Sequence, residues 1–280
     1  MTRSLPTAAN SPVMFRPLNQ GLTADQIAVC ATAQDSMVAV AIASIGSTPG
    51  TSRLKSLLVQ EAHRHRGIAQ GLLAALEQRL HAHGARRLEV TYPGGSTSAD
   101  VFTHILRKAA WHVPAEPVLI FTASTRIATA PWMGIHAVGK GELFPWSELS
   151  AAETIELAAA RGTSQWFPEA LGPFPERPVE PVCSIGARYQ GRVVGWMLSH
   201  RVDASTVRYS RLFVRQEFRR QVCGVALFAE ALRRQHAAGI PTSICAVSRA
   251  NAAMLRVIKR RVEPYLDSTA SVCFAAKELR

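Results

Sequence analysis

Twenty-six residues near the start of the chain recur 155 positions later, so a fold for this protein has to place the same unit twice. Residues 59–84 read VQEAHRHRGIAQGLLAALEQRLHAHG and residues 214–239 read VRQEFRRQVCGVALFAEALRRQHAAG. Aligned without a gap, 8 of 26 positions are identical, among them Val59/Val214, Arg64/Arg219, Leu72/Leu227 and Gly84/Gly239. Each copy follows an apolar run with strand character (LKSLLV, SRLFV). Each then enters a segment whose apolar residues recur at helical spacing, Ile68, Leu72, Leu73, Leu76 and Leu80 in the first copy. A Gly closes each helix. A strand, a basic glycine-bearing turn and a helix start together make a phosphate cradle. The turn's N–H groups point inward, the helix dipole adds positive potential, and Arg supplies full charge.

The spacing narrows the choice of cradle. Arg64, Gly67 and Ala69 stand in the order R-x-x-G-x-A, followed by Leu72 and Leu73. No G-K-S/T follows, which excludes a P-loop, and G-x-G-x-x-G is absent, which excludes the dinucleotide fingerprint. The pattern resembles the acyl-CoA signature of the GNAT superfamily of N-acetyltransferases, in which a Q/R-x-x-G-x-G/A turn wraps the pyrophosphate of CoA. The resemblance implies acetyl-CoA as cosubstrate, contacted in the first copy by Val59, Arg64, Gly67 and Ala69. In the second copy the matching positions are Phe213, Val214, Arg219, Cys223 and Gly224, with Val222 where the first motif Gly stands. Asn251 opens a late segment resembling the family's N-x-x-A/M-x-x-L signature and joins the cofactor set.

The resemblance covers nearly the whole chain and implies an α/β (α+β) fold of two GNAT-like domains. Each is expected to be a mixed, mostly antiparallel sheet flanked by helices. In the first half the strands are expected at Val13–Leu18, near Ala28–Gln34, in MVAVAIASIG, at Leu54–Val59, in LEVTY and in PVLIFTAS, with helices over Gly67–His83 and near Ser98–Ala110. Too few residues separate the first two strands to hold the two helices that wall a GNAT acceptor pocket. The second half supplies that length. GIHAV reads as its first strand, SELSAAETIELAAARG as an amphipathic helix with a capping signature, and an aromatic, proline-rich segment around Trp166 and Phe167 follows. SIGARYQGRVVGWMLSH is a hairpin, and SVCFAAKEL closes the half. The expected division is residues 1–128, a domain lacking most of its acceptor wall, and residues 129–280, the catalytic one.

Composition sets the remaining bounds. At 280 residues the chain can bury two cores, and 48% hydrophobic against 19% charged residues describes a globular protein. The five cysteines are scattered without a C-x-x-C pair, so neither a disulfide framework nor a metal site is expected. No leader-like core and no membrane-length apolar run is seen, and a cytoplasmic location is expected. The net charge of +12 is spread evenly: 13 Lys/Arg against 7 Asp/Glu over residues 1–140, and 19 against 13 over 141–280. It forms no basic tail, and nucleic acid is not expected as a partner.

A GNAT reaction needs an anchored pyrophosphate, a polarised thioester carbonyl and removal of a proton from the amine. The Tyr that many members use to protonate the departing thiolate is missing, since the matching position holds Ile258. Catalytic candidates are therefore Tyr209 on the strand before the motif, Ser248 at the end of SICAV, and Glu217 acting through water. The leading expectation is an acetyl-CoA-dependent N-acetyltransferase acting on a small-molecule amine by direct attack in a ternary complex. The alternatives are an aminoacyl-tRNA-dependent peptide-bond-forming transferase, which the charge favours and the acyl-CoA turn disfavours, and a non-catalytic acyl-CoA-binding or regulatory protein, suggested by the missing Tyr.

Overall fold

A computed structural model of the chain describes residues 13–18, 21–46, 48–136, 141–162, 166–219 and 224–280. They belong to two compact units: unit 1 is residues 1–117 with 271–280, and unit 2 is residues 118–270.

Unit 1 begins as an antiparallel meander of β1 (Met14–Leu18), β2 (Gln26–Ala33), β3 (Ser36–Ile45) and β4 (Thr51–Val59). The β2–β3 turn uses left-handed backbone at Gln34 and Asp35, the twist that a two-residue hairpin requires. From β4 the chain passes into α1 (Ile68–Ala82), returns as β5 (Arg87–Pro93) parallel to β4, and forms α2 (Thr97–Lys108). The five apolar residues that defined the helical period, Ile68, Leu72, Leu73, Leu76 and Leu80, are the buried ones of α1. They pack with Val29, Ala31, Ala41, Leu54, Leu88 and Leu106 in one core. Burial of each large side chain contributes about 1.5–3 kcal/mol.

Unit 2 repeats the plan with a more complete wall. Its elements are β6 (Val118–Ala123), β7 (Glu142–Pro145), α3 (Ala151–Gly162), β8 (Ile185–Tyr189), β9 (Arg192–Asp203), β10 (Thr206–Val214), α4 (Gly224–Ala237), β11 (Thr242–Ser248) and α5 (Ala252–Val257), which runs into a π-helical turn at Ile258–Val262. The strands lie in the order β6-β11-β10-β9-β8-β7. The strand expected at GIHAV is not found among its described residues: Gly134 ends a 3₁₀ turn opened by Pro131, and residues 137 and 138 lie outside the described residues. The indole of Trp132 in that turn donates to Arg261 O and stacks on Phe228, so the segment plugs the core while β7 takes the edge beside β8.

The 155-residue offset carries through the geometry of both units. It relates β4 to β10 and β5 to β11 at both ends, and the last residue of α1 to that of α4. Each helix ends in a Schellman motif: Gly84 N–H bonds His81 O and Ala85 N–H bonds Leu80 O, matched by Gly239 to His236 and Ile240 to Gln235. The next helices are capped at equivalent positions, by Ser96 Oγ accepting from Ala99 N and by Asn251 Oδ1 accepting from Met254 N.

The closing strands depart from the sequence order. By that order PVLIFTAS completes the first half and SVCFAAKEL the second. Instead β6 lies antiparallel beside β11 in unit 2, and β12 (Ser268–Glu278) lies antiparallel beside β5 in unit 1, from Val272↔Pro93 to Glu278↔Arg87. The units therefore divide at residues 117 and 270 rather than after residue 128. A charged knot holds β12 in place. Lys277 Nζ donates to Glu77 Oε2 on α1 (2.7 Å) and to Ala109 O at the end of α2 (2.7 Å), and Glu77 also accepts from Trp111 Nε1 (2.9 Å). Glu77 is largely buried, and the ammonium lies where the negative end of α2 favours it.

Replacing Lys277 by Met leaves Glu77 buried without its cation and is expected to cost about 3 kcal/mol of stability. A lowered urea midpoint for Lys277→Met, partly restored by adding Glu77→Gln, is the expected result; an unchanged midpoint rejects the knot as a structural fastener.

Candidate functional site

In each unit the central pair of parallel strands parts after a short ladder. β4 and β5 pair only from Thr51↔Arg87 to Arg53↔Glu89, and β10 and β11 only from Thr206↔Thr242 to Tyr209↔Cys245. Both leading strands run on for five or more residues beyond that point, leaving one backbone edge without a ladder partner and open to a ligand. A β-bulge sits where the strands part. Register skips Lys55 on β4 and Ser210 on β10, which are again 155 residues apart. Extra residues of this kind re-aim the side chains beyond them.

The re-aiming decides where the candidate residues point. Regular alternation would put Tyr209, Arg211 and Phe213 on one face of β10. With the bulge at Ser210, Tyr209, Leu212 and Val214 face the core beneath α4, whereas Phe213 packs into the aromatic cluster of Trp146, Phe167 and Trp196. Tyr209 is 4% exposed, its hydroxyl donates to Gln235 Oε1 (2.8 Å), and its ring meets Phe228 edge-on. Burial, with Cys183 behind it, pushes its phenol well above the usual pKa. As a general acid Tyr209 is thus misplaced; it is a core residue, and the bulge is the reason.

In unit 1 the turn expected to hold a phosphate joins β4 to α1. After β4 come a 3₁₀ turn at Glu61–His63, left-handed His65 and left-handed Gly67, which is the N-cap of α1. The first helical bond is Gly71 N to Gly67 O, so the N–H groups of Ile68, Ala69 and Gln70 precede the helical ladder at the dipole's positive end. A Cβ at Gly67 would meet nothing within 4 Å, so the glycine is needed for its φ of 75° and not for space. Arg64 Nε donates to Val59 O at 3.2 Å, and Arg219 Nε donates to Val214 O at the same distance. Each Arg thereby clips its turn to the end of the strand that enters it, leaving its other N–H donors for an anion. These groups suit a CoA pyrophosphate: a nest of N–H, a helix start and a cation at one turn.

In unit 2, Gly224 is the first helical residue of α4, and Cys223 and Val222 lie outside the described residues. Glu217 stands exposed in the 3₁₀ turn Gln216–Phe218, where its own backbone N–H and the Arg215 guanidinium (2.5 Å) hold its carboxyl below the usual range. Ser248 ends β11 and accepts from Ala250 N through its hydroxyl. Asn251 spends its side-chain oxygen on the α5 cap. Cys245 on β11 is held as a thiol, since burial pushes its pKa up to about 11.

Sequence reasoning expected a wall from α3 and the segment around Trp166 and Phe167, but it missed the cavity and Arg211. Against the face of β10 carrying Arg211 and Phe213 lies a cavity of about 470 Å³, walled by α3, the 3₁₀ turn Glu169–Leu171 and residues 172–176. Trp196 forms its aromatic backing and donates its indole N–H to Leu171 O (2.8 Å). The α3 wall is anchored by a capping box, in which Ser150 N–H bonds Glu153 Oε2 (2.8 Å) and Glu153 N–H bonds Ser150 Oγ (3.2 Å). Arg188 on β8 grips both oxygens of Glu153 (2.6 and 3.1 Å) and lies over the Phe144 ring. In unit 1 the equivalent strand face is open: Lys55, Ser56 and Leu58 are exposed, Leu58 by 58%.

A sequence model of the acetyltransferase (GNAT) family matches residues 6–103 and 149–262, one stretch in each unit. No curated protein matches the chain in sequence. Among solved structures, a GCN5-related N-acetyltransferase from Sphaerobacter thermophilus aligns with a TM-score of 0.57 at 16% identity, over 93% of this chain and 83% of that one. A GCN5-related N-acetyltransferase from Kribbella flavida aligns with a TM-score of 0.51 at 14% identity, over 85% and 86%. A tandem GNAT protein from the clavulanic acid biosynthesis pathway aligns over 96% and 99% at 15% identity, with a TM-score of 0.49. At such identities the likeness concerns the fold.

Hydrogen bonds from Arg188 bring the Glu153 carboxyl from 4.5 down to about 2. Because its folded pKa lies below its unfolded one, the stabilisation is fully present above pH 4.5 and fades as pH falls through about 2. Glu153→Gln is expected to lower stability at pH 7 by about 1–2 kcal/mol. The gap between variant and parent should close on acidification across that window; a gap independent of pH overturns this account of the anchor.

Proposed function

Since the chain belongs to the acetyltransferase (GNAT) family, we propose that it moves an acetyl group from acetyl-CoA to the amine of a small molecule, and that unit 2 carries the reaction. The observation behind the choice of unit is the meeting, on one strand, of the parted ladder and a walled cavity. β10 supplies the unpaired backbone edge beyond Ser210 and, through Arg211, one wall of the 470 Å³ cavity. Unit 1 has the parted ladder and the phosphate turn without the cavity on that face among its described residues.

Acetyl-CoA supplies the reactive thioester, and this chain's residues orient it. The proposed contacts in unit 2 are the backbone of Phe213 and Val214, Arg219 and the start of α4 at Cys223 and Gly224, with Asn251 at the facing helix cap. In unit 1 Val59, Arg64, Gly67 and Ala69 hold a second acyl-CoA without turning it over. The backbone edge of β10 polarises the carbonyl, the neutral amine attacks from the cavity side, and the C–S bond breaks as the amide forms. Tyr209 is spent in the core and Glu217 is a weak base at its lowered pKa. The amine therefore gives its proton to water, with Ser248 at the cleft end as a hydrogen-bonding group. This makes kcat/KM rise with pH up to the acceptor's own amine pKa. The scattered free cysteines fit a reduced, cytoplasmic compartment, and no helix among the described residues is long and apolar enough to cross a membrane.

The matched test is Arg219→Ala against Arg64→Ala. Loss of a charge-assisted phosphate contact and of the turn clip in the reacting unit should cut turnover about 10- to 100-fold for Arg219→Ala, with Arg64→Ala near parental. The reverse order would assign the chemistry to unit 1, and no CoA release with any amine would leave an acyl-CoA-binding protein. Gly67→Asp puts a carboxylate at a left-handed position beside the first-unit cradle. It should weaken the unit 1 site about 10-fold or more in CoA calorimetry, and an unaltered titration removes that site.

A further inference from the structure

The cavity of unit 2 has an unequal charge arrangement that selects among amines, an argument resting on the reading of unit 2 as the reacting unit. Two guanidiniums and two carboxylates line it. Arg161 is already matched with Glu169 (3.3 Å), and both are well exposed at the mouth, so that pair contributes little to binding. Arg211 differs. It is half-buried on β10 and touches no carboxylate among the described residues; its Nη1 donates to the neutral carbonyl of Gly172 at 2.5 Å. No other hydrogen bond occupies its donor fork among the described residues, and a guanidinium with no carboxylate on it offers a planar, bidentate seat for one. Glu176, on the rim, also has no ion-pair partner among the described residues.

Position adds to charge. Arg211 is the first residue past the bulge at Ser210, where β10 and β11 separate. An acceptor fixed to this fork by a carboxylate is tethered by that end to the strand whose unpaired edge begins at Ser210. We infer that the acceptor is an α-amino acid, its carboxylate on the Arg211 fork, its α-amine toward the cleft and its side chain running along Phe167 and Phe174 to the Glu169–Glu176 rim. Arg211 is then a specificity-determining residue that touches substrate.

Calorimetric titration of the full chain, with CoA present, reads this directly. The probes are the twenty L-amino acids and matched decarboxylated amines, such as lysine with cadaverine and phenylalanine with phenethylamine. At least one amino acid should bind about 10- to 100-fold more tightly than its decarboxylated partner, the range for a bidentate charge-assisted contact. Arg211→Gln should erase that ratio. Arg211→Lys retains a donor for Gly172 O and should still lose most of it, which, with an unchanged melting temperature, separates loss of recognition from loss of the wall. The inference is overturned if no amino acid binds, if decarboxylated amines bind equally well, or if Arg211→Gln keeps the ratio. CoA release measured over the same panel isolates the underlying reading. Carboxylate-selective binding without release sinks acetyl transfer and supports the binding site, and release with decarboxylated amines alone keeps acetyl transfer and sinks the α-amino-acid acceptor.

Discussion

Everything at the candidate site depends on a ladder that stops early. A parallel strand pair is normally satisfied along its length, and leaving one edge bare costs free energy unless a ligand or water takes the exposed groups. Here the pairing ends after Tyr209↔Cys245, and the bulged Ser210 stands at the first unpaired position. The bulge stands where the parallel ladder ends and inverts the facing of the residues beyond it, so that Leu212 and Val214 join Tyr209 in the core beneath α4 while Arg211 lines the cavity and Phe213 packs among the aromatics. The turn after β10 is closed by the strand's own last carbonyl, Val214 O, held by Arg219. The parted edge and the new facing of Arg211 thus meet at a single local irregularity.

The same irregularity in unit 1 shows what it does not supply. Lys55, the short ladder, the Arg64 clip and the left-handed Gly67 are all there. The difference lies in the connection between the first two strands of each unit. In unit 2 it is long enough for α3 and the 169–176 wall, and aromatic enough to pack them on Trp196. In unit 1 it is only a few residues, and β4 presents Leu58 to solvent. Anchoring a phosphate needs a turn; orienting an amine needs a second surface, and chain length decides which unit can have one.

Much of this could be read from residues. The helical face of α1, the Gly-terminated helices, the basic turn and the shortfall of wall in the first half all come from periodicity, cap chemistry and counting, because those signals are local. The bulge is harder to see. Its trace is a break in alternation, as in the adjacent Leu57 and Leu58 of β4, and in YSRLFV, where Tyr209 and Phe213 have equal parity and opposite destinations. Arg211 is silent in the sequence because its role depends on Gly172, nearly forty residues away. The strand exchange is invisible for another reason: chain order puts β6 with the first half and β12 with the second, and their actual partners are set at a distance. What separates them is a lysine bonding to a buried carboxylate 200 positions earlier.

That exchange sets an order on the birth of the molecule. When residue 117 has left the ribosome, unit 1 still lacks the strand that pairs with β5, because the paired part of β12 follows the whole of unit 2 in the chain. The strand made next, β6, belongs to unit 2 and has to wait for β11, some 120 residues behind it. Contacts of such separation are slow to close, and exposed strand edges in the interval invite wrong pairing. Unit 1 therefore cannot complete its sheet until all of unit 2 has been made. No single cut liberates either unit with its sheet intact; a separable version would require the coding order itself to be permuted, with the final strand moved ahead of residue 118.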